Sequence, residues 1–522
     1  MDLIISNLRI PVEKDRVDEY VKAASQKLNI SNDNIQLTKI LSKSLDVSSK
    51  EQFYYEITIV VSIAGNFDNT ENFPVYTEKP KEDKKSKNIK ERPLIIGFGP
   101  AGMFAALELI DHGIKPIIFE RGKKIEERSI DIQRFIQART LDTESNIQFG
   151  EGGAGSYSDG KLFSRINNSQ YAERVLDTFI TFGAPHEIGY ISKPHLGTDV
   201  LCSIVKNIRG YILERGGEIH YSSKMTDVLI SDGKAAGVII NGNIEYRSSI
   251  IYLAPGNSAR DTFEMIRNKG IAVEQKSIFV GVRIEHPAKT INLIRYGDKY
   301  KDFPGIGAAN YSLTYTDRKI RRGVYTFCMC PGGEVINASS EEGLLVVNGM
   351  SYSGRSSAFS NSAIVVTCHT DDYGSPDPLA GIEFQKKIER KAFDGGGGRW
   401  NVPAQNLVDF LSGSVSIDLN ENSYKMGTTS VNMYEIFPPF VYRMLLSAFN
   451  KWKEDYPLFV SDHAILLGAE TRTSSPVRII RNEKYESVNI KNLYPIGEGS
   501  GYAGGITSSA ADAIKAVECS LK

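Results

Sequence analysis

The sequence predicts an α/β protein: a parallel sheet flanked by helices, a β-rich domain inserted into it, and a small N-terminal α+β module. Two glycine-rich turns, each between a short apolar run and a helical segment, predict the parallel sheet. The β-like segments between these turns predict the inserted domain. A chain of 522 residues is long enough for about two to four domains with their own cores.

The N-terminal module is predicted over residues 1–75, where strand-like and helical patterns alternate. Its expected elements are a strand at 3–10, a helix at 12–28 and strands at 35–45 and 53–63. This order indicates a partial ferredoxin-like sheet. Residues 76–92 are rich in lysine and lack apolar periodicity, which predicts a solvated tether. The alternative, an arm that binds nucleic acid, is disfavoured because acids are interspersed and aromatics are absent.

The first strand of the parallel sheet opens a βαβ unit over residues 93–121. An apolar run leads into Gly97-x-Gly99-x-x-Gly102, followed by a helical segment, a second apolar run and Glu120. Gly97 permits a sharp turn, Gly99 lets the backbone approach a pyrophosphate, and Gly102 lets helix and strand pack closely. Glu120 stands about 20 residues on, where a carboxylate accepts hydrogen bonds from an adenosine ribose. The unit predicts a site for FAD or NAD rather than NADP.

The sheet continues after this unit and is then interrupted. A third parallel strand is expected at 218–222, a β-hairpin at 228–246 and a further sheet strand at 250–254, after which Gly256 allows the backbone near a cofactor. The chain leaves at about residue 270 and returns at about 465. The inserted strands are expected at 277–284, 323–329, 344–347 and 363–367.

The C-terminal turn decides between the two dinucleotides. Residues 492–516 predict a short strand, a run of glycines and a small-residue helix that begins near Ile506. This arrangement resembles the element that points a helix N-terminus at the flavin ring in glutathione-reductase-type flavoproteins, where the helix dipole favours negative charge on the reduced ring. Enzymes that bind only NAD lack this element, so the prediction is non-covalently bound FAD.

Longer motifs extend the resemblance from this group of flavoproteins to one particular family. The segments ERGKKIEER, RTLDTESNIQFGEGGAGSYSDGKL, KPHLGTDVL, APGNSARDTF, GGGGRWNVPAQNLVDFL and GEGSGYAGGI resemble a family of uncharacterised bacterial FAD-dependent dehydrogenases. The resemblance runs from about residue 90 to the C-terminus. It implies an FAD domain at 93–270 and 465–522 and a substrate domain at 271–464, without implying a substrate.

The residues expected at the cofactor belong to the glycine turns and the loops beside them. Arg121 and Arg128 are candidates for neutralising phosphates or covering the adenine, and Glu498 for reaching the ribityl side. The full set is Gly97, Gly99, Pro100, Ala101, Gly102, Glu120, Arg121, Arg128, Gly153, Gly155, Ser158, Asp159, Gly160, Lys161, Leu162, Ala254, Pro255, Gly256, Gly497, Glu498, Gly505 and Ile506.

Three residues are candidates for catalysis. His195 and His463 lie in segments whose composition suggests shaped loops, and either could protonate a substrate or the flavin. Arg472 stands among hydroxyl residues in ETRTSSP and is a candidate clamp for an anionic substrate group. The alternative for each is a purely structural, hydrogen-bonded side chain.

Cysteine and glycine patterns limit the redox chemistry. No CxxxxC follows Glu120, and Cys328 with Cys330 forms a CxC that is expected to pack or line a pocket rather than act as a disulfide or metal site. No second strand, GxGxxG and helix appears, and the glycines at 395–398 are interpreted as a loop. An NAD(P)H donor would therefore bind transiently at the flavin face.

Together these features predict an FAD-dependent oxidoreductase that transfers hydride between flavin N5 and a small organic substrate. The alternatives are a flavin-dependent monooxygenase and an RNA-associated flavoprotein. A net charge of −1 gives no basic field for nucleic acid, so nucleic acid is not an expected partner. We also expect no membrane span and, from the odd number of cysteines and the absence of a signal peptide, a cytoplasmic location.

Overall fold

The computed structural model describes residues 1–65, 67–78, 91–162 and 169–522. Most of the expected tether, residues 79–90, lies outside these ranges, as do residues 163–168. The protein is mixed α/β, with parallel and antiparallel sheets. Its first 63 residues form β1 (Asp2–Pro11), α1 (Val17–Leu28), β2 (Ile35–Asp46) and β3 (Tyr54–Ile63).

In this N-terminal module the strands form an antiparallel sheet of order β1-β3-β2. The periodicity of the sequence places each of these elements correctly except the start of α1. The helix was expected from Val12 but begins at Val17, because Val12–Lys14 form a separate 3₁₀ turn. One face of α1 packs on the sheet through Tyr20, Ala24 and Leu28.

The next part of the chain builds the parallel sheet and its helices. Its elements are β4 (Leu94–Ile96), α2 (Pro100–Asp111), β5 (Ile117–Phe119), α3 (Ile125–Ala138), α4 (Gln170–Thr181), α5 (Gly197–Glu214), β6 (Glu218–His220), β7 (Met225–Ser231), β8 (Lys234–Ile240), β9 (Ile244–Arg247), β10 (Ile251–Leu253) and α6 (Arg260–Asn268). Strands β7, β8 and β9 form a separate antiparallel sheet. Its connecting turns contain Asp232-Gly233 and Asn241-Gly242, as expected.

The remaining elements form the inserted sheet and then close the parallel one. They are β11 (Val273–Gln275), β12 (Ile278–Pro287), α7 (Ala288–Tyr300), β13 (Thr314–Asp317), β14 (Arg322–Cys330), β15 (Glu334–Asn337), β16 (Val347–Met350), β17 (Phe359–Cys368), α8 (Ala380–Gly395), β18 (Val402–Asn406), α9 (Leu407–Ser412), β19 (Thr428–Ser430), α10 (Met433–Ile436), α11 (Pro439–Asp455), β20 (Ile465–Glu470), β21 (Val477–Ile479), β22 (Leu493–Pro495) and α12 (Ile506–Ser520). The strand expected at 344–347 was misplaced: β16 begins only at Val347.

Two large sheets result. The parallel sheet has the order β22-β10-β4-β5-β6, and the inserted sheet has the order β13-β14-β17-β12-β20-β18-β19. The inserted sheet is antiparallel except for the pair β18 and β19. The three central strands β10, β4 and β5 are apolar and almost wholly buried, as expected for a parallel sheet covered on both faces. Helices α2 and α12 pack closely together on one of those faces.

The N-terminal module is docked on the inserted domain by aromatic side chains. The ring of Phe53 stacks on that of Tyr300 at 4.2 Å between centroids and meets Tyr296 edge-on at 6.0 Å. The Tyr300 hydroxyl donates to Glu13 at 2.7 Å, and the Tyr55 hydroxyl donates to the carbonyl of Gly305 at 2.8 Å. One continuous apolar core therefore runs from the module into the inserted sheet. Among the described residues no helix is both long and apolar enough to span a membrane.

Candidate functional site

A cavity of about 1070 Å³ lies between the carboxyl ends of the parallel strands and the inserted sheet. Gly97, Glu120 and Ala254, which follow β4, β5 and β10 directly, line one end. Side chains of the inserted domain, including Ile291 and Phe459, line the other. Ligands of open α/β folds bind at this edge of the sheet, so the cavity is the candidate site.

The three glycines of the first turn divide into two kinds. A side chain at Gly97, where φ is 100°, would collide with the carbonyl oxygen of Ala254, and one at Gly102 would collide with the carbonyl of Gly97. A Cβ on Gly99 would find its nearest atom, Cα of Gly153, at 3.6 Å. A side chain at Gly99 would thus make only an ordinary contact with the protein, and the glycine keeps the N-terminus of α2 accessible from the cavity, a cradle that fits the pyrophosphate of a dinucleotide.

Glu120 is buried and joins this turn to the next loop. One carboxylate oxygen accepts a hydrogen bond from the backbone N–H of Phe98 at 2.8 Å. The other accepts from the N–H groups of Gly122 and Gly150, both at 2.9 Å. Because the first oxygen has one donor only, it keeps acceptor capacity toward the cavity, where a ribose hydroxyl would lie.

The two arginines expected at the adenosine end have different surroundings. Arg121 lines the cavity, with its guanidinium 4.0 Å from the ring centroid of Phe149 and paired with Glu144 and Asp261. Arg128, also expected at the cofactor, does not line the cavity. It is fully buried and donates to three backbone carbonyls of the loop at 146–151, which it holds together.

The loop at 148–162 is fixed by a residue that sequence reasoning missed. Arg355, from the inserted domain, donates to Asp159 at 2.6 and 3.2 Å, and Ser351 donates to the same carboxylate at 2.5 Å. Lys161 lies 3.1 Å from Asp159 and also donates to the carbonyl of Met329. Burial alone would raise the pKa of Asp159, but Lys161 and Arg355 lower it below its usual value. No local pattern around Arg355 signals this long-range contact.

The second turn places the N-terminus of α12 on the cavity. A Cβ on Gly504 or Gly505 would meet no atom within 4 Å, so this turn also leaves room for a ligand. Glu498 lines the same region and accepts a hydrogen bond from the Asn257 amide at 2.8 Å. Burial raises the pKa of Glu498. The site thus has a second helix N-terminus facing the space left by the first.

Most of the expected cofactor residues line the cavity, and four do not. Besides Arg128, these are Gly102, Leu162 and Gly497, which support the wall from behind. The Leu162 carbonyl accepts from Thr507 Oγ1 at 2.6 Å, and a side chain on Gly497 would collide with Ala101. The lining members of the expected set are Gly97, Gly99, Pro100, Ala101, Glu120, Arg121, Gly153, Gly155, Ser158, Asp159, Gly160, Lys161, Ala254, Pro255, Gly256, Glu498, Gly505 and Ile506.

Neither candidate histidine lines the cavity. His463 is exposed and stands 3.7 Å from Asp462. His195 forms a backbone bridge with Lys161 behind the wall, and burial together with the nearby Arg355 lowers its pKa to about 4. At neutral pH it is an uncharged structural side chain.

Arg472 lines the cavity but is not free to clamp an anion. Its guanidinium donates to Glu389 at 2.9 and 3.1 Å and to Ser340 at 2.6 Å. The carboxylate of Glu389 is also held by Arg260 at 2.7 and 2.9 Å. Burial would raise the pKa of Glu389, but the two arginines lower it well below its usual range. The expected substrate clamp is instead part of a buried ion-pair cluster.

The part of the cavity lined by the inserted domain forms a compartment whose wall has both polar and apolar side chains. The apolar ones come from α7, β14 and other segments of the inserted domain: Ile291, Ile294, Leu313, Phe327 and Phe459. Cys328 and Cys330 both line it as free thiols, consistent with the expected pocket-lining role. Burial raises the pKa of Cys328 to about 12. The described residues contain no group of three or more metal-ligating side chains that could hold an ion.

Comparison with known proteins identifies relatives. Residues 277–473 match a family model described as "FAD-dependent protein, C-terminal domain-like". An uncharacterised protein of Clostridium beijerinckii is 41% identical over 527 residues, covering 99% of this chain and 98% of the relative.

Similar solved structures are more distant. They include CtdE in complex with FAD (12% identity, TM-score 0.32, 81% of this chain and 82% of that one). The flavin-dependent brominase Bmp2 is 13% identical, with a TM-score of 0.35 over 81% of this chain and 75% of that one. The quinol fumarate reductase subunit FrdA of E. coli is 11% identical, with a TM-score of 0.35 over 82% and 69%. Likenesses this weak carry no argument about the reaction.

Proposed function

The chain belongs to a family of FAD-dependent proteins that includes the Clostridium beijerinckii relative, and we propose that this oxidoreductase is a dehydrogenase or reductase acting on a small organic substrate. FAD, when bound, supplies a hydride acceptor or donor at flavin N5. The supporting observation is one continuous cavity that runs from the dinucleotide turn to the compartment. We further propose that the parallel sheet is of the glutathione-reductase type.

The protein's contribution is to hold the cofactor and orient it. The open backbone at Gly99 and the N-terminus of α2 would accept the pyrophosphate, and Glu120 the ribose. The N-terminus of α12 carries a partial positive charge, which would favour an anionic ring edge. Because burial raises the pKa of Glu498, this carboxyl is less prone to add an opposing negative charge there.

In the compartment, apolar side chains exclude water from the reacting atoms. Tyr311 stays protonated because burial raises its pKa, so its hydroxyl can donate a hydrogen bond to a substrate oxygen while it accepts from Ser362 at 2.9 Å. Neither Tyr311 nor the thiol of Cys328 is needed as a nucleophile, since hydride transfer requires none.

The test separates hydride transfer from oxygenation. Holoenzyme photoreduced without oxygen is mixed with a panel of unsaturated acids, enones and quinones, and the return of oxidised-flavin absorption is followed. We expect at least one compound to reoxidise the flavin under anaerobic conditions. A product that forms only with oxygen and carries label from ¹⁸O₂ would contradict the proposal and indicate a monooxygenase.

A matched variant tests the cysteines in the same assay. Cys328→Ser combined with Cys330→Ser should leave photoreduction and substrate-driven reoxidation intact. Loss of reoxidation together with a thiolate-to-flavin charge-transfer band in the wild type would indicate thiol chemistry instead.

A further inference from the structure

The N-terminal module reaches the cavity. Lys50, in the loop between β2 and β3, lines the compartment and donates its ammonium group to the carbonyl of Arg295 in α7. Next to this contact, Lys299 donates to the carbonyl of Glu51 at 2.5 Å. The module therefore completes the wall of the compartment that the inserted domain begins.

The module also contacts a second segment that reaches the cavity. Strand β2 forms a parallel bridge at Lys43 with Ile191, with backbone hydrogen bonds of 2.8 and 3.1 Å to residues on either side. Two residues further on, Lys193 lines the cavity. The module is therefore held against two segments that contribute lining residues.

More cations than carboxylates line the cavity, and some of these cations have no ion-pair partner among the described residues. Each of its four carboxylates is occupied: Glu120 by backbone N–H groups, Asp159 by Arg355, Glu470 by Arg283 and Glu498 by Asn257. Five lining cations have carboxylate partners, namely Arg121, Lys161, Lys224, Arg355 and Arg472.

The other three cations, Lys50, Lys193 and Arg295, have no ion pair with any residue that the structure describes. Burial and the like charge of Arg295 both lower the pKa of Lys50. The three side chains are exposed, and two cations side by side without a counter-ion repel each other. An anion bound at this end of the cavity would therefore neutralise the excess positive charge.

The wall near these cations includes apolar side chains, with Ile291 one turn of α7 before Arg295, Ile294 next to Arg295 in the sequence, and Phe327 and Phe459 also lining the compartment. We propose that the substrate is an organic acid with an extended apolar body, whose anionic group binds Lys50 and Arg295, with Lys193 as a third cation. The N-terminal module would thus take part in substrate binding. This inference rests on the proposed function, because it places the substrate in the same compartment.

The experiment measures binding to the oxidised holoenzyme. Biphenyl-4-carboxylate and its neutral analogue biphenyl-4-carboxamide are titrated by calorimetry, with the flavin spectrum recorded in parallel. The variants are Lys50→Gln and Arg295→Gln. The control is Lys22→Gln, which removes the same charge from an exposed position of α1 outside the cavity.

We expect the carboxylate to bind wild type and Lys22→Gln at least about tenfold more tightly than the carboxamide, the range for a hydrogen bond to a charged group. Lys50→Gln and Arg295→Gln should each lose most of this preference and keep their FAD. The proposal is overturned by equal affinities in the wild type, by no saturable binding of the acid, or by an unchanged preference in both variants. Loss of FAD from the variants would also overturn it and assign the cations to the cofactor. No turnover is involved, so failure here is distinct from failure of hydride transfer.

Discussion

Gly97, Gly99 and Gly102 belong to one motif, but two of them are required for the fold and one for ligand binding. Gly97 and Gly102 are required by the fold, since any side chain there would collide with a backbone carbonyl. A Cβ on Gly99 would meet only Gly153, at an ordinary contact distance of 3.6 Å, so we infer that the ligand rather than the fold requires this glycine. The motif therefore separates into positions whose substitution unfolds the protein and a position whose substitution empties the site.

Gly99→Val should abolish most FAD binding while the protein stays folded, because the branched side chain fills space that the pyrophosphate needs. Gly102→Ala, the contrasting variant, should lower the free energy of unfolding by several kcal/mol, as overpacking of a core typically costs about 1–3 kcal/mol or more. The measurements are FAD released on denaturation, and urea unfolding of the FAD-free proteins. A Gly99→Val variant that retains full FAD would show that the pyrophosphate lies elsewhere.

Charged residues show where reading single residues fails. Arg128 and Arg472 have the chemistry of anion ligands, yet one binds backbone carbonyls and the other a buried carboxylate. Glu389, which neutralises Arg472, lies 83 residues earlier in the chain. The glycine motifs could be located because their chemistry is local. The partners of a buried arginine depend on tertiary packing, which residue type and spacing do not encode.

At the scale of elements, apolar periodicity located the strands and helices of the βαβ unit and of the N-terminal module well. It failed at one continuously buried run of the inserted domain. The run at 344–347 is buried throughout, and only its last residue belongs to a strand, because Leu344–Val346 pack as irregular chain. Periodicity also could not show that α7 presents two tyrosines to Phe53, since that contact joins residues more than 240 positions apart.

Phe53→Ala should loosen the N-terminal module from α7. Removing a fully buried phenylalanine costs about 3–5 kcal/mol, and here the cavity would open between two elements rather than inside one. Urea unfolding measures the loss, and limited proteolysis reports whether the module becomes accessible. Tyr434→Ala, a truncation of an aromatic side chain that is 54% exposed, is the control and should cost less than about 1 kcal/mol. Equal costs for the two variants would show that the stacked rings do not hold the module.

On the scale of the whole molecule, the module and the inserted domain share one core, and the parallel sheet meets them along the cavity. Buried ionisable groups are spread through this assembly, so its stability should depend on pH. Burial lowers the pKa of His195 and of His286 from 6.5 to about 4. Burial also raises the pKa of Glu285 from 4.5 to about 7.

As pH rises, the shifted histidines and the shifted glutamate change the stability of the folded protein in opposite directions. As pH falls from 6.5 toward 4, the unfolded histidines take up protons that the folded ones refuse, so stability decreases. As pH rises from 4.5 toward 7, the unfolded Glu285 loses its proton first, which also decreases stability. The fully buried His286 alone corresponds to about 3 kcal/mol at pH 4. The change of melting temperature with pH is therefore the difference between the contribution of the two histidines and that of the buried carboxyls whose pKa is raised, which are Glu285, Glu151, Glu470 and Glu498.

Glu285→Gln isolates the opposing group. The amide cannot ionise, so the variant keeps the contribution of the histidines and loses that of this carboxyl, and its melting temperature relative to wild type should increase as pH rises from 4.5 to 7. Thermal unfolding is followed at a constant excess of FAD, because cofactor binding itself shifts the melting temperature. Glu435→Gln, at an exposed position, should follow the wild-type curve. If the Glu285→Gln curve also runs parallel to wild type, the carboxyl ionises as easily in the folded protein as in the unfolded chain, and the burial of Glu285 has no effect on its pKa.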